Sequence, residues 1–248
     1  MKTISNPHFN ETLYYQDAPT NVSRYKANYN ESSFYDLLDN LTMNYIGNQL
    51  IKAENAVSTS NFSNQGDFRN EVSKTVEYEY DKNGNMTKDF NKGIDTISYN
   101  SLDLPISLSI KNSLGSATNN YTYSANGKKL KVEMKYGNQT KTTDYVGNMI
   151  YENGGYVENG QYHFCIRIQD HLGNNRVVAK TDGTVIQTNH YYPYGMTFTE
   201  DNTGDPKAQP YKYGGKEFDG ERGLNLYDYL ARSMDPAEGR FTSIDPLA

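Results

Sequence analysis

The chain has 248 residues, a formal net charge of -6 and a sequence pI near 5.3, with Lys and Arg scattered rather than striped, which argues against a nucleic-acid partner. The single Cys165 cannot close an internal disulfide, and His8, His163, His171 and His190 share no metal-ligand spacing with it or with one another, so no structural metal, redox pair or cofactor is expected. With 23 Tyr, 20 Gly, 9 Phe, no Trp and 35% hydrophobic residues, the chain builds from half-polar aromatics, which favours a thin, sheet-like architecture over a compact globule with a large aliphatic core.

Residues 1 to 75 are Asn/Ser-rich and weakly periodic, although HFNETLYYQD and YDLLDNLTMNYIGNQL look like divergent copies of the more regular segments downstream. The opening MKTISNPHFNETL lacks the apolar stretch of a signal peptide, and no segment approaches the roughly 20 apolar residues of a membrane span, so neither an export address nor a span is expected.

Residues 76 to 195 alternate apolar and polar side chains at the period of half-buried strands. Val76, Tyr78 and Tyr80 alternate with Glu77 and Glu79, and Ile106, Leu108 and Ile110 with Ser107 and Ser109. Leu130, Val132, Met134 and Tyr136 alternate with Lys131, Glu133 and Lys135, and Phe164, Ile166 and Ile168 with Cys165 and Arg167. Asn83-Gly84, Asn126-Gly127 and Gly154-Gly155 supply the positive φ angles of tight turns between them. The expected fold is all-β: consecutive antiparallel hairpins across 76 to 195, forming one curved open sheet with little helix.

The hairpins are self-similar. YDKNG at Tyr80, YNSLD at Tyr99, YSANG at Tyr123, YVGN at Tyr145 and QDHLG at Gln169 succeed one another about twenty residues apart, a spacing typical of strand-based repeats. Within a copy, the aromatic residue ends a strand, Asp or Asn bonds the backbone two residues on, and Gly takes the left-handed position. The turn residues are Tyr80, Asp81, Gly84, Tyr123, Gly127, Asp170, His171 and Gly173. Residues 196 to 248 form a further segment, interrupted by TEDNTGDPKAQP, a polar stretch expected to be a surface loop.

Taken in order, DHLGNNRV, HYYPYGMTF, YKYGGKEF, GLNLYDYLARSMDP and EGRFTSIDP resemble the core segment of the Rhs/YD-repeat family, large bacterial surface and polymorphic-toxin proteins whose repeats wind into a hollow β-shell. The resemblance rests on Tyr192, Pro193, Gly195, Tyr227, Asp228, Arg232, Asp235, Pro236, Gly239, Arg240 and Phe241, and it is most specific from about Tyr145 onward. It implies a non-enzymatic shell segment that encloses or displays a toxin or surface module encoded elsewhere. The implied partners are neighbouring repeat segments in cis or in trans, a C-terminal toxin domain, or surface glycans. A carbohydrate- or cell-surface-binding module is the alternative reading, since tyrosine faces can stack on sugar rings. The parent family is exported or displayed at the cell surface.

Many family members cleave themselves with aspartates in DP-type motifs, and Asp235 and Asp245 match Asp-Pro positions of that region. An aspartyl mechanism needs two carboxylates sharing a proton. DPLA lacks the Gly of the family's DPxG form and no second such motif comes after it, so both aspartates are read as turn initiators, with an autoprotease remnant as the alternative. Arg232 and Arg240 are expected to pair with Asp235 or Glu238 and pin adjacent strands. His171 is read as a structural turn residue, and YKYGGKEFDGERG as a turn rather than a phosphate loop. Leu230 stands where the family usually has Gly and would be strained if that position needs positive φ; Asn175 replaces the usual Thr, and Met234 an aromatic residue. Leu226, Tyr229, Leu230 and Met234 would also fit a short helix, kept as second choice to strand.

Overall fold

The computed structural model describes residues 4–6, 9–14, 20–27, 35–57, 68, 70–146, 149–152, 165–198 and 209–245. His8, Gly147, the Gly154-Gly155 pair, His163, Phe164, most of the TEDNTGDPKAQP stretch and Pro246 lie outside these residues.

A first, five-stranded sheet holds β1 (Ile4–Asn6), β2 (Phe9–Tyr14), β3 (Thr20–Ala27), β4 (Tyr35–Ile46) and β5 (Gln49–Asn55). An eight-stranded sheet holds β6 (Tyr78–Tyr80), β7 (Met86–Asp89), β8 (Ile94–Tyr99), β9 (Pro105–Asn112), β10 (Gly115–Tyr123), β11 (Lys129–Tyr136), β12 (Gln139–Val146) and β13 (Met149–Glu152). Then come β14 (Cys165–Gln169), β15 (Asn175–Lys180) and β16 (Val185–Thr188) in a three-stranded sheet, and the pair β17 (His190–Tyr191) and β18 (Thr197–Phe198). The last sheet holds β19 (Glu217–Asp219), β20 (Leu226–Asp228), β21 (Ser233–Asp235) and β22 (Arg240–Phe241). Among the described residues, helix is confined to two three-residue 3-10 turns, Tyr213–Gly215 and Glu221–Gly223.

The protein is all-β, and within every sheet each strand pairs antiparallel with its sequence neighbour. The segment around Leu226 and Met234 takes the strand form, not the helical one. One expectation needs correction: the stretch 76 to 195 is not a single sheet, because the eight-stranded sheet ends at Glu152 and β14 begins a separate one.

The repeat has a definite backbone geometry. At residues 81, 100, 124 and 170 the N–H donates to the carbonyl four residues on, and that residue's own carbonyl accepts from the N–H three residues on. The residue three positions on has positive φ: Gly84, Asp103, Gly127 and Gly173. Asp81 and Asp170 each add a side chain, whose Oδ1 accepts from the N–H groups two and four residues later. Immediately before these turns the strand pairing slips at Glu79/Tyr80, Ser98/Tyr99, Thr122/Tyr123 and Ile168/Gln169. Such bulges increase local twist and re-aim a side chain, so each repeat bends the sheet at the same place.

Period two fails to set burial in four segments. Val76 is 43% exposed, whereas Glu77 is fully buried. The cause is that Glu77 precedes β6 and joins the two large sheets: its N–H donates to Ile51 O at 2.8 Å and its Oε2 accepts from Ala53 N at 3.1 Å. Ile106 and Leu130 stand 39% and 38% exposed while Leu108, Ile110 and Met134 on the same strands are buried. Burial there depends on the cover over the sheet, not on alternation alone. Ile166 and Ile168 on β14, which among the described residues pairs only with β15, remain 53% and 55% exposed.

One apolar cluster spans the first two sheets and the C-terminal third. Leu41, Met43, Leu50 and Ala53 meet Met86, Ile94, Ile97, Leu108 and Ile110, and Tyr192, Met196, Leu224, Leu226 and Ala237 pack on them. Burial at this level supplies most of the favourable free energy of such a fold.

Leu230 has φ +69 and is 66% exposed, so its side chain gains little packing for the left-handed backbone it occupies. The conformation is held by an Asx-type bond from its N–H to Asp228 Oδ1 at 2.6 Å. Leu230→Gly is expected to stabilise the chain by about 1 kcal/mol, read as a rise in the urea midpoint at unchanged slope. A fall would mean that the leucine side chain is needed.

Candidate functional site

At three of the repeat turns a tyrosine hydroxyl ties the turn to an earlier part of the chain. Tyr99 donates to Met86 O at 2.6 Å, Tyr123 to Pro105 O at 2.9 Å, and Tyr80 to Leu50 O at 3.0 Å. A ring that ends one strand therefore latches onto the backbone of the preceding hairpin, which explains why the repeat uses Tyr where Phe would fill the same space. Burial pushes Tyr80 up to about 12 and Tyr99 and Tyr123 well above the usual phenol range. Tyr99→Phe should cost about 1 kcal/mol by chemical denaturation, the net worth of one such bond. No measurable cost would show that the hydroxyl contributes nothing.

The C-terminal third uses the same latch more densely. Tyr191, Tyr213 and Tyr227 donate to Asn175 O at 2.6 Å, Pro193 O at 2.7 Å and Gly195 O at 2.8 Å. Their rings form a chain, with centroids 5.6 Å apart for Tyr191 and Tyr213, 6.1 Å for Tyr213 and Tyr227, and 4.8 Å for Phe218 and Tyr227. Asn175 is fully buried; its Nδ2 donates to Tyr211 O at 2.6 Å, a second polar bond that the usual Thr could not donate in this form.

Between the eight-stranded sheet and the last strands lies a cavity of about 680 Å³, whose lining includes Tyr99, Tyr121, Tyr123, Tyr145, Lys129 and Asp219. Lys129 bridges its walls: Nζ reaches Glu217 Oε2 at 2.7 Å and also pairs with Asp228, while Tyr145 OH donates to Glu217 Oε1 at 2.5 Å. Burial raises Asp219 to about 6.

The strongest concentration of charge sits where β7 meets the β21–β22 turn. Asp89, Asp235 and Glu238 are buried, and one carboxylate oxygen from each lies within 4.8 Å of the others. Asp235 Oδ1 accepts from Ala237 N at 2.8 Å and Glu238 N at 3.2 Å, and Oδ2 is 3.0 Å from Lys92 Nζ. Glu238 accepts from Tyr78 OH at 2.6 Å and faces Arg240 Nη1 at 3.4 Å; Arg240 Nη2 reaches Tyr80 OH at 3.1 Å. Asn91 continues the network, with Nδ2 3.3 Å from Tyr78 OH and 3.1 Å from Glu77 Oε2. Burial raises both Asp89 and Glu238, the latter reinforced by Asp235. Three carboxylates are a donor set for a hard cation, but here Lys92 and Arg240 already stand against them as counter-charges.

The two aspartates singled out in the sequence take different places. Asp235 joins the buried cluster, while Asp245 lies outside it, 43% exposed, with its Oδ2 3.1 Å from Arg232 Nη2. Arg240 meets Glu238 as expected. Arg232 does not pair with Asp235 or Glu238: it takes Asp245 and lies 3.9 Å over the Phe241 ring. Asp235 takes Lys92 instead, because the β21–β22 turn points its carboxylate at the Phe90–Gly93 turn. His171 is exposed at a turn tip, and Pro193 is exposed at another. Pro236 supplies the N–H-free first position of the turn closed by Gly239 N to Asp235 O at 2.8 Å. Gly239 has positive φ and approaches the Tyr194 ring.

No family model matches the chain. A 93-residue stretch is 36% identical to Salivary gland surface protein 1 of Aedes aegypti, covering 38% of this chain and 3% of that protein. The fold superposes on the crystal structure of TcdB2-TccC3-TEV with TM-score 0.53 at 15% identity, covering 97% of this chain and 17% of that one. This is an Rhs-like β-fold. The same Rhs-like arrangement is found in TcdB2-TccC3-Cdc42 (TM-score 0.52, 15% identity, 95% of this chain and 18% of that one). TcdB2-TccC3 without its hypervariable C-terminal region gives TM-score 0.51 at 14% identity, over 97% of this chain and 18% of that one. The chain therefore spans less than a fifth of those Rhs-like chains. Among the described residues no helix is long and apolar enough to cross a membrane.

Proposed function

We propose that this chain is a structural, non-enzymatic segment of an Rhs/YD-repeat β-shell, one that encloses or displays a toxin or surface module encoded elsewhere. The observation that carries this reading is the serial latch: tyrosine hydroxyls are spent on the backbone of preceding hairpins, so each repeat is built to receive the next. The likeness in fold over 97% of the chain to a much longer TccC3-containing assembly supports it. Tyrosines distributed along paired strands, with hydroxyls engaged internally, favour a scaffold over a glycan-binding face. Among the described residues β13 pairs only with β12, and this edge, with the exposed Ile166 and Ile168 on β14, suits pairing with neighbouring repeat segments.

Size-exclusion chromatography with light scattering tests the proposal. The isolated chain should self-associate, or gain stability when repeat segments are supplied in cis or in trans. A cooperative, high-melting monomer indifferent to added repeats would overturn it. The same preparation should remain one unbroken polypeptide. A defined fragment that disappears on Asp245→Asn would replace the structural reading with self-cleavage.

A further inference from the structure

We propose that Lys92 and Asp235 condense to a side-chain amide, an intramolecular isopeptide bond joining the β7–β8 turn to the β21–β22 turn. The reacting groups are already in contact, with Lys92 Nζ 3.0 Å from Asp235 Oδ2 and side-chain exposures of only 13% and 2%. Holding an amine beside a carboxyl group in this way makes the encounter intramolecular, and effective molarities reach about 10⁵ M or more once such groups are aligned for attack. The oxygen that would carry negative charge in the addition intermediate, Oδ1, is cradled by two backbone donors, Ala237 N at 2.8 Å and Glu238 N at 3.2 Å. Asp89 and Glu238 place carboxyl oxygens within 4.8 Å of those of Asp235, a separation that one bridging water spans for proton relay, and Tyr78 fixes Glu238 through its 2.6 Å bond. Burial raises both relay carboxyls, Glu238 the further, so a proton donor is present at neutral pH.

The resting state is the ion pair. Burial disfavours the Lys92 ammonium, but Asp235, Asp89 and Glu238 outweigh it and hold the lysine charged. One proton passes along the contact from Nζ to Oδ2, turning the pair into an amine and a carboxylic acid with no change in total charge. The Nζ lone pair adds to Cγ, forming the C–N bond and moving the carbonyl electron pair onto Oδ1. Glu238 then protonates the departing Oδ2 while Asp89 takes the second proton from nitrogen. The Cγ–Oδ2 bond breaks, water leaves, and a proton returns from Asp89 to Glu238. An ammonium and a carboxylate have become one secondary amide and one water, with nothing oxidised or reduced. Replacing a buried ion pair by a neutral amide also removes two desolvated charges, which favours the product where water is excluded. Because the amine form is the minor one, the reaction is slow and the cross-linked fraction grows with time.

Intact-mass spectrometry of the folded full-length chain, followed over days at neutral pH, tests this. The expected result is a species one water lighter than the sequence mass, yielding on proteolysis a branched peptide that joins Lys92 to Asp235. Lys92→Arg, which keeps the cation but not the nucleophile, should stay at its unmodified mass. Asp235→Asn should lose ammonia in place of water. Glu238→Gln should slow the reaction about a hundredfold while circular dichroism shows the fold unchanged. A folded wild-type chain that stays at its sequence mass would overturn the proposal, as would a loss of water that persists in Lys92→Arg.

Discussion

Gly195→Ala should lower stability by about 3 kcal/mol, enough to remove a large part of the margin of a typical domain. Two costs combine. Gly195 has φ +85, where an L side chain is strained by about 1–2 kcal/mol. Its added Cβ would also stand 2.5 Å from Tyr213 Cγ, an overlap that costs a further 1–3 kcal/mol by the usual measure of overpacking. Tyr213 has little room to yield, since its hydroxyl is bound to Pro193 O at 2.7 Å and its ring is flanked by Tyr191 and Tyr227. Gly137→Ala is the matched comparison: φ is +54 but no atom lies within 4 Å of the new Cβ, so about 1 kcal/mol is expected. Urea midpoints of the two variants measure the difference. Equal losses would show that the Tyr213 contact has no weight.

Stability should fall as the solution is made more alkaline between pH 5 and pH 8, the reverse of the usual acid sensitivity of paired carboxylates. Burial pushes Glu238 from 4.5 to about 8 and Asp89 from 3.8 to about 6. Below about pH 4 both groups are protonated in the folded and the unfolded chain, and neither imposes a penalty. As the pH rises, the unfolded chain releases its protons first while the folded chain still holds them, so stability declines through pH 6 for Asp89 and on to pH 8 for Glu238. The combined loss is several kcal/mol, on the order of 1.4 kcal/mol for each unit of each shift, and it is steepest between about pH 4.5 and pH 6, where both carboxyls contribute, continuing to pH 8 for Glu238 alone. Glu238→Gln keeps a neutral acceptor for Tyr78 and should remove most of that slope. A wild-type urea midpoint that rises from pH 5 to pH 8 would contradict the assignment.

Turns are legible in the sequence wherever a short polar side chain stands at their first position. Asp81, Asn100, Ser124 and Asp170 all fit that pattern, with Gly or Asp three residues on. The same backbone turn begins at Lys180, Tyr192 and Lys212, with Gly183, Gly195 and Gly215 at the positive-φ position. Those three escape recognition as repeats because their first residues offer no side-chain bond to the turn. The strain at Leu230 is readable from a single residue type, since positive φ there is expected of a position that usually holds Gly. The buried cluster is not readable at all. Asp89 and Lys92 lie in a hairpin whose local pattern is ordinary, and only tertiary packing brings them to Asp235 and Glu238. Glu77 misleads for a related reason: alternation assigns a polar residue to the outer face, but its carboxylate replaces a missing strand partner across the join between two sheets.

Strict pairing of sequence neighbours carries a consequence for the order of assembly. Hairpins from β6 to β13 close short loops, so they can form as the polypeptide leaves the ribosome, each adding to the edge left by the one before. The C-terminal strands cannot take part until much later: the bonds from Tyr78 to Glu238 and from Arg240 to Tyr80 each join residues 160 positions apart. Synthesis would thus leave a nascent sheet whose Tyr80 hydroxyl already holds Leu50 O while Tyr78 still lacks Glu238, and the arrival of β21 and β22 would act as the closing step. Deletion of those two strands should consequently release a sheet already formed without its closure, while deletion of one whole central hairpin should simply shorten it.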